Sequence, residues 1–231
     1  MSLATQAASN GQLDFFRNAG IQTSAHSDAD FDKLASAFGY LPRLTQYTDA
    51  SNLVKKREIT AGFYMVTGKD DRTQLGEDID VVPVAWRFKA LETIPGQKPR
   101  STTDQNSDLF KEIASRSGQQ NSNCQAGIEY LMWVPSVAKF CTYLMGSKTS
   151  LKEAAKVKPL IGCPVTIKTH TYENDQYVWQ GPKVLEASVP PSTLPDPALM
   201  KETVDKFLNP PAEEQGEPQE KVESSAKSRK R

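Results

Sequence analysis

The chain has 231 residues and a mass of 25.5 kDa, with 28 basic and 28 acidic side chains, which leaves room for one core with appendages and excludes a large multidomain machine. With a mean hydropathy of −0.54 and no apolar run near the ~18–20 residues that cross a bilayer, the expectation is a soluble protein without a membrane partner. The polar start, Met1-Ser2-Leu3-Ala4-Thr5-Gln6, gives no secretory signal, and three widely spaced cysteines, Cys124, Cys141 and Cys163, suit reduced structural thiols better than a disulfide framework.

Residues 1–12 lack periodicity and read as flexible. Over 28–39, Phe31, Leu34, Ala35 and Phe38 recur at helical spacing before Gly39, predicting a short helix within an N-terminal arm spanning 1–39. A β-rich body is expected over 40–190. Phe63 to Val66 reads as a strand ended by the turn cluster Gly68-Lys69-Asp70-Asp71; Ile79 to Leu91 is longer, with Val84, Trp86 and Phe88 alternating with Ala85, Arg87 and Lys89, one face bulky and one cationic. Residues 95–123 form a long polar insertion with a possible helix around Leu109, Phe110 and Ile113; loops of that length are usually functional or disordered.

Tyr130 to Val134 and Ala138 to Met145 read as a hairpin about Pro135-Ser136-Val137. Ser150 and Glu153 stand at capping-box spacing ahead of Ala154, Ala155 and Val157, predicting a helix of about two turns that begins at Thr149 or Ser150. Val165 to Tyr172 alternates, turns at Glu173-Asn174-Asp175-Gln176, and returns as Tyr177-Val178-Trp179, with a break at Gly181-Pro182 before Lys183 to Glu186. After the Pro-rich run at 190–195, Asp196 caps a helix with Pro197 at its first position and Met200, Val204, Phe207 and Leu208 on one face, within a linker and helix spanning 191–209. The charged tail, 210–231, reads as disordered. The fold class expected is mainly β: an OB-fold-like small antiparallel barrel with one helix before its last two strands, an SH3-like barrel or a meandering sandwich being the alternatives.

Catalysis finds little support. Two histidines, His26 and His170, are too few for a His-based triad or metal cluster. Gly146-Ser147-Lys148-Thr149 imitates a phosphate loop but has Ser147 where that loop requires glycine. Glu77, Asp78 and Asp80 have no glycine-positioned loop or distal glutamate to complete a calcium site. Neither an enzyme nor a bound cofactor is expected.

What the body does carry is aromatic rings interleaved with cations. Arg87 and Lys89 flank Phe88, Lys139 precedes Phe140, Lys168 stands near Tyr172, and Lys183 follows Tyr177 and Trp179; Lys148 belongs to the stretch 139–183, where seven lysines face only Glu153, Glu173 and Asp175. Single-stranded nucleic acid asks for this combination, because rings stack on unpaired bases while Lys and Arg neutralise phosphates. Core packing of the same rings is the competing reading, above all for Trp86, Phe88 and Trp133. Tyr64, Tyr143, Tyr172 and Tyr177 are the better stacking candidates, since phenols tolerate a wet groove.

The helix-then-hairpin stretch Lys152 to Glu186, followed by a charged tail, resembles the single-stranded DNA-binding proteins that bacteriophages encode for replication and recombination; Tyr40 to Leu44, Asp80 to Leu91 and Tyr130 to Lys148 are also similar to phage proteins. The resemblance spans about 40–190 and implies an OB-fold, sequence-nonspecific binding of single-stranded DNA, and a place in the host cytoplasm. In that family an acidic tail recruits replication or recombination partners. Here Glu213, Glu214, Glu217, Glu220 and Glu223 are followed by Lys227, Arg229, Lys230 and Arg231, a departure that puts such recruitment in doubt. The rival is a phage structural or assembly protein acting through self-association, which the neutral net charge favours.

Overall fold

A computed structural model describes residues 41–48, 51–68, 71–94, 97–119, 122–187 and 193–210. The helix expected over 28–39, the start at 1–12 and the tail from 211 onward lie outside the described residues. In chain order the elements are β1 (Arg43–Gln46), α1 (Asn52–Lys55), β2 (Tyr64–Thr67), β3 (Arg72–Gln74), β4 (Asp78–Glu92), β5 (Arg100–Thr102), α2 (Asp108–Arg116), β6 (Cys124–Val134), β7 (Lys139–Met145), α3 (Lys148–Val157), β8 (Val165–Glu173), β9 (Val178–Glu186) and α4 (Pro197–Leu208). The protein is mainly β. Among the described residues nine strands form one mixed sheet in the order β3-β2-β1-β7-β6-β4-β8-β9, with β5 also on β4.

β4 organises this sheet. Its first four residues pair with β8, Asp78 opposite Lys168 and Val81 opposite Val165, and from Val82 onward it pairs with β6. The register slips between Pro83 and Ala85 at the change of partner. An extra residue there bends the strand, and proline, which has no N–H for a ladder, is best tolerated at such an irregularity. The path ends at β3 and β9 without closing into a continuous ladder. β1 lies parallel to β7, paired through Arg43 and Thr142, and its Gln46 Nε2 donates to Thr169 Oγ1 of β8 at 2.7 Å.

Three apolar clusters hold the layers. The largest joins Leu44, Tyr64, Val66, Tyr130, Met132, Val165, Ile167 and Val184 with Ala154 and Val157 of α3. Within it the Tyr130 hydroxyl donates to the Ala154 carbonyl at 2.6 Å, and burial pushes that phenol up to about 12; the Tyr64 hydroxyl is buried without a hydrogen-bond partner among the described residues. The second cluster packs Met200, Val204 and Phe207 of α4 on Val82, Leu131, Trp133 and Phe140. The stripe expected for α4 is therefore the buried one, except Leu208, which is 47% exposed, and Asp196 caps the helix by accepting from the Leu199 N–H. The third cluster puts Ile113 of α2 on Ala90 and Cys124.

The insertion at 95–123 is a folded unit rather than a bare loop. Beyond Ile113, it is fastened by a ring of four charges. The buried Glu92 accepts from Arg100 at 2.8 Å and Arg116 at 2.7 Å, and Glu112 accepts from the same two guanidiniums at 3.0 and 2.7 Å. Burial alone would raise the Glu92 carboxyl, but Arg116 and Arg100 outweigh it and hold the group below the usual carboxylate range.

Two local readings need correction. α3 is ten residues long and its cap is Ser147, whose hydroxyl accepts from the Ser150 N–H. Glu153 instead turns inward, accepting from Lys156 at 2.6 Å and from the backbone N–H of Val184 at 2.9 Å. The break expected at Gly181-Pro182 is also absent, because β9 runs unbroken from Val178 to Glu186. The N–H of Val184 points away from β8 toward Glu153, and Pro182, two residues earlier on the same side, lacks only an outward N–H. The β8 ladder loses nothing by it. None of the three cysteines is in a disulfide, and Cys124 and Cys141 are buried; burial raises Cys141 to about 12, which leaves it unreactive.

Candidate nucleic-acid interface

The β8–β9 hairpin brings five side chains onto one face. Alternation puts Lys168, His170 and Tyr172 on the same side of β8, and the register sets them opposite Lys183, Gly181 and Trp179 of β9. Tyr172 stacks on Trp179 with ring centroids 5.9 Å apart and planes 15° from parallel. His170 meets the Tyr172 ring edge-on at 4.7 Å. The pair is held at both ends: the Tyr172 hydroxyl donates to the Pro182 carbonyl at 3.0 Å, and Trp179 Nε1 donates to Thr149 Oγ1 of α3 at 3.0 Å. Gly181 lies under the stack, since a Cβ there would stand 3.3 Å from both the Tyr172 ring and Thr149.

This face is open to solvent. Trp179 is 37% exposed and Tyr177, next to the turn, 66%. Asn174 Oδ1 shapes that turn by accepting from the N–H groups of Gln176 and Tyr177. Lys168 reaches Asp78 at 3.5 Å across an exposed gap, a pair of little energetic weight. Lys148, the first residue of α3, is exposed, and Lys183 is half-buried beside the stack. The structure thus groups Lys168, Tyr172, Trp179 and Lys183, adds Tyr177 at the tip, and places Lys148 on the helix that anchors Trp179.

The remaining residues expected at the interface are elsewhere. Tyr64 is fully buried and Tyr143 is 5% exposed; they meet edge to face in the main core, centroids 6.2 Å apart, and burial raises both phenols. Neither ring can receive a base. Arg87 and Lys89 share one face of β4 as alternation requires, but their side chains are only 12% and 13% accessible and both serve the buried Glu129, at 2.8 and 2.7 Å. Arg87 also donates to the Phe207 carbonyl and sits 4.2 Å over its ring, tying down the end of α4. Lys139 pairs with Asp71 at 2.6 Å. Arg87 and Lys89 are therefore engaged within the fold, whereas the Lys139–Asp71 pair is exposed and of as little energetic weight as Lys168–Asp78.

His170 joins the aromatic group although a lone strand histidine reads as a surface residue; its i, i+2 spacing to Tyr172 was the available signal. A second feature has no sequence signal. A cavity of about 710 Å³ opens beside the unpaired edge of β9, floored by β4, β6 and β7 and walled by β1. Arg43, Gln46 and Thr48 wall one side, Gln180, Gly181 and Pro182 the other, and Ser147 and Ser150 of the α3 cap stand at one end. Among the described residues no group of three His, Cys, Asp or Glu side chains could hold a metal, and no helix is long and apolar enough to cross a membrane. Comparison with family models, curated proteins and solved structures finds no match to this chain.

Proposed function

We propose that this protein binds single-stranded DNA without reading its sequence, and that it acts in phage DNA replication or recombination. The observation that carries the reading is the Tyr172–Trp179 stack, with Trp179 exposed and Tyr172 half-buried, on the same hairpin face as the paired Lys168 and Lys183. A flat aromatic pair offers a base a surface worth about 1–3 kcal/mol per stacked ring, and the two lysines on one side of it neutralise phosphates of the strand that continues from the stack. The OB-like reading of the fold is part of this proposal. The succession β4, β6, β7, α3, β8, β9, with a long β4 shared by β6 and β8, follows that plan, with the seam beside β9 left open. The reading involves no catalysis and no cofactor. Recruitment of replication partners by the acidic-then-basic segment 213–231 belongs to it as well.

A fluorescence titration with oligo-dT at two salt concentrations tests it. Saturable binding that weakens steeply with salt and changes little between oligo-dT and mixed sequences is expected. Binding that ignores salt, or none, overturns it.

A structural or assembly role through self-association is the second reading. It is favoured by the exposed Tyr177 and Val178 at the tip of the same hairpin, 66% and 69% accessible, because adjacent exposed apolar side chains mark interaction surfaces. Light scattering without DNA separates the two: a large fixed oligomer that no oligonucleotide perturbs belongs to assembly.

A further inference from the structure

We infer that the cavity at the open seam is a nucleotide subsite, holding one phosphate on Arg43 and the hydrogen-bonding edge of one base on Gln180. The inference rests on the single-stranded DNA reading and extends it from stacking to a pocket.

Volume and charge both point this way. At about 710 Å³ the cavity is of the size that takes small ligands, ~300–1,000 Å³. Its wall holds two cations, Arg43 and Lys89, and one carboxylate, Glu129. Lys89 is spent on Glu129 at 2.7 Å, so the positive charge left to a ligand is that of Arg43, whose fork suits a phosphate. The N-terminus of the ten-residue α3 faces the same space through Ser147 and Ser150, adding the partial positive charge of a helix start.

Gln180 supplies the second requirement. Its Oε1 is buried without a hydrogen-bond partner, and a terminal amide torsion is soft, so a turn of that group presents an acceptor to the cavity. A ligand bearing both an anion and an N–H edge satisfies Arg43 and Gln180 together. A nucleotide within a strand has both.

Continuity with the stack completes the case. Gln180 follows Trp179 directly, and Gly181, a wall residue, lies under the Tyr172 ring. Alternation turns the Gln180 side chain to the face of β9 opposite Trp179, and because β9 is an edge of the sheet, a strand stacked on Trp179 reaches the pocket by passing over that edge.

The test uses the full chain with two probes, oligo-dT and the same oligomer built from N3-methylthymine, which keeps the ring face and the phosphates but loses the N–H donor. Wild type is expected to bind the methylated strand about five- to tenfold more weakly, the effect of leaving a buried acceptor unpaired. Gln180→Leu is expected to erase that difference. Arg43→Gln is expected to reduce the slope of log affinity against log salt by about 0.7, one phosphate contact on a single strand, and Arg43→Lys to retain it. If Arg43→Gln does not fold, the two oligomers on wild type decide alone. Equal binding of both oligomers by wild type, or substitutions that change neither the ratio nor the slope, overturns the subsite while leaving the stacking reading intact. Failure of wild type to bind oligo-dT overturns both.

Discussion

A side chain on Gly127 would run into the backbone of Met145 and stand 2.6 Å from the Cα of Gly146. β6 and β7 come together so closely at this end of their hairpin, just past the Ile128–Met145 pair, that only hydrogen fits. Backbone on both sides cannot rotate away as a side chain would. Gly127→Ala is therefore expected to unfold the protein or lower its stability by more than about 3 kcal/mol, the range of severe overpacking, read as a loss of cooperative melting by circular dichroism.

Ala138 predicts the opposite sign. It occupies the left-handed region, φ 49° and ψ 46°, at the end of the 3₁₀ turn joining β6 to β7, and it is exposed. Cβ strain in that region amounts to about 1–2 kcal/mol, against which glycine loses some entropy. Ala138→Gly should raise stability by about 0.5–1 kcal/mol in urea melts with an unchanged m-value. A lower midpoint would contradict the assignment.

Trp179→Ala removes the outer member of the aromatic stack and should weaken oligo-dT binding by about 1–3 kcal/mol. Trp179→Phe should recover most of it, because a ring remains even though the bond to Thr149 is lost. Tyr64→Phe and Tyr143→Phe, changes in the core, should leave affinity unaltered. Fluorescence anisotropy with a labelled oligonucleotide checks all four.

Acid should loosen the insertion. The Glu92 carboxyl is held low in the folded protein by Arg116 and Arg100 against the opposing effect of its burial, and Glu153 is held low by Lys156 and the Val184 N–H against the same opposition. For a group depressed by folding, the stabilisation is present above the unfolded carboxylate pKa and is lost as pH falls through the lower folded value. Stability should therefore be level near neutrality and decline below about pH 4.5. Glu92→Gln should flatten that decline. Thermal melts from pH 7 to 3 read the effect.

Long or strongly signalled elements were legible in the chain, and short ones were not. Asp196-Pro197 followed by Met200, Val204 and Phe207 contains a cap, a first-turn proline and a stripe, and α4 matches them. β1, β3 and β5, of four, three and three residues, are too short for alternation to register, so the seam cavity that β1 helps to wall was invisible. Glu153 shows a different limit. A capping pair and a pair sharing one helix face have the same spacing, and only the approach of β9 settles which it is. For Tyr64 and Tyr143 the residue type suggested a wet groove, but strand pairing put both rings inside. Arg87 and Lys89 were placed on the correct face; Glu129, far along the chain, had already claimed them.

The sharing of β4 between two partners has a kinetic meaning. Only the Ala90–Glu92 end of β4 finds a partner nearby, in β5; Asp78 waits for Lys168 and Val82 for Trp133. Contacts so distant in sequence slow folding, and most of β4 gains no partner until a large part of the chain has been made. Truncations that remove β8 and β9 should leave β4 with an unsatisfied edge, and the fragment should aggregate rather than fold to half a protein.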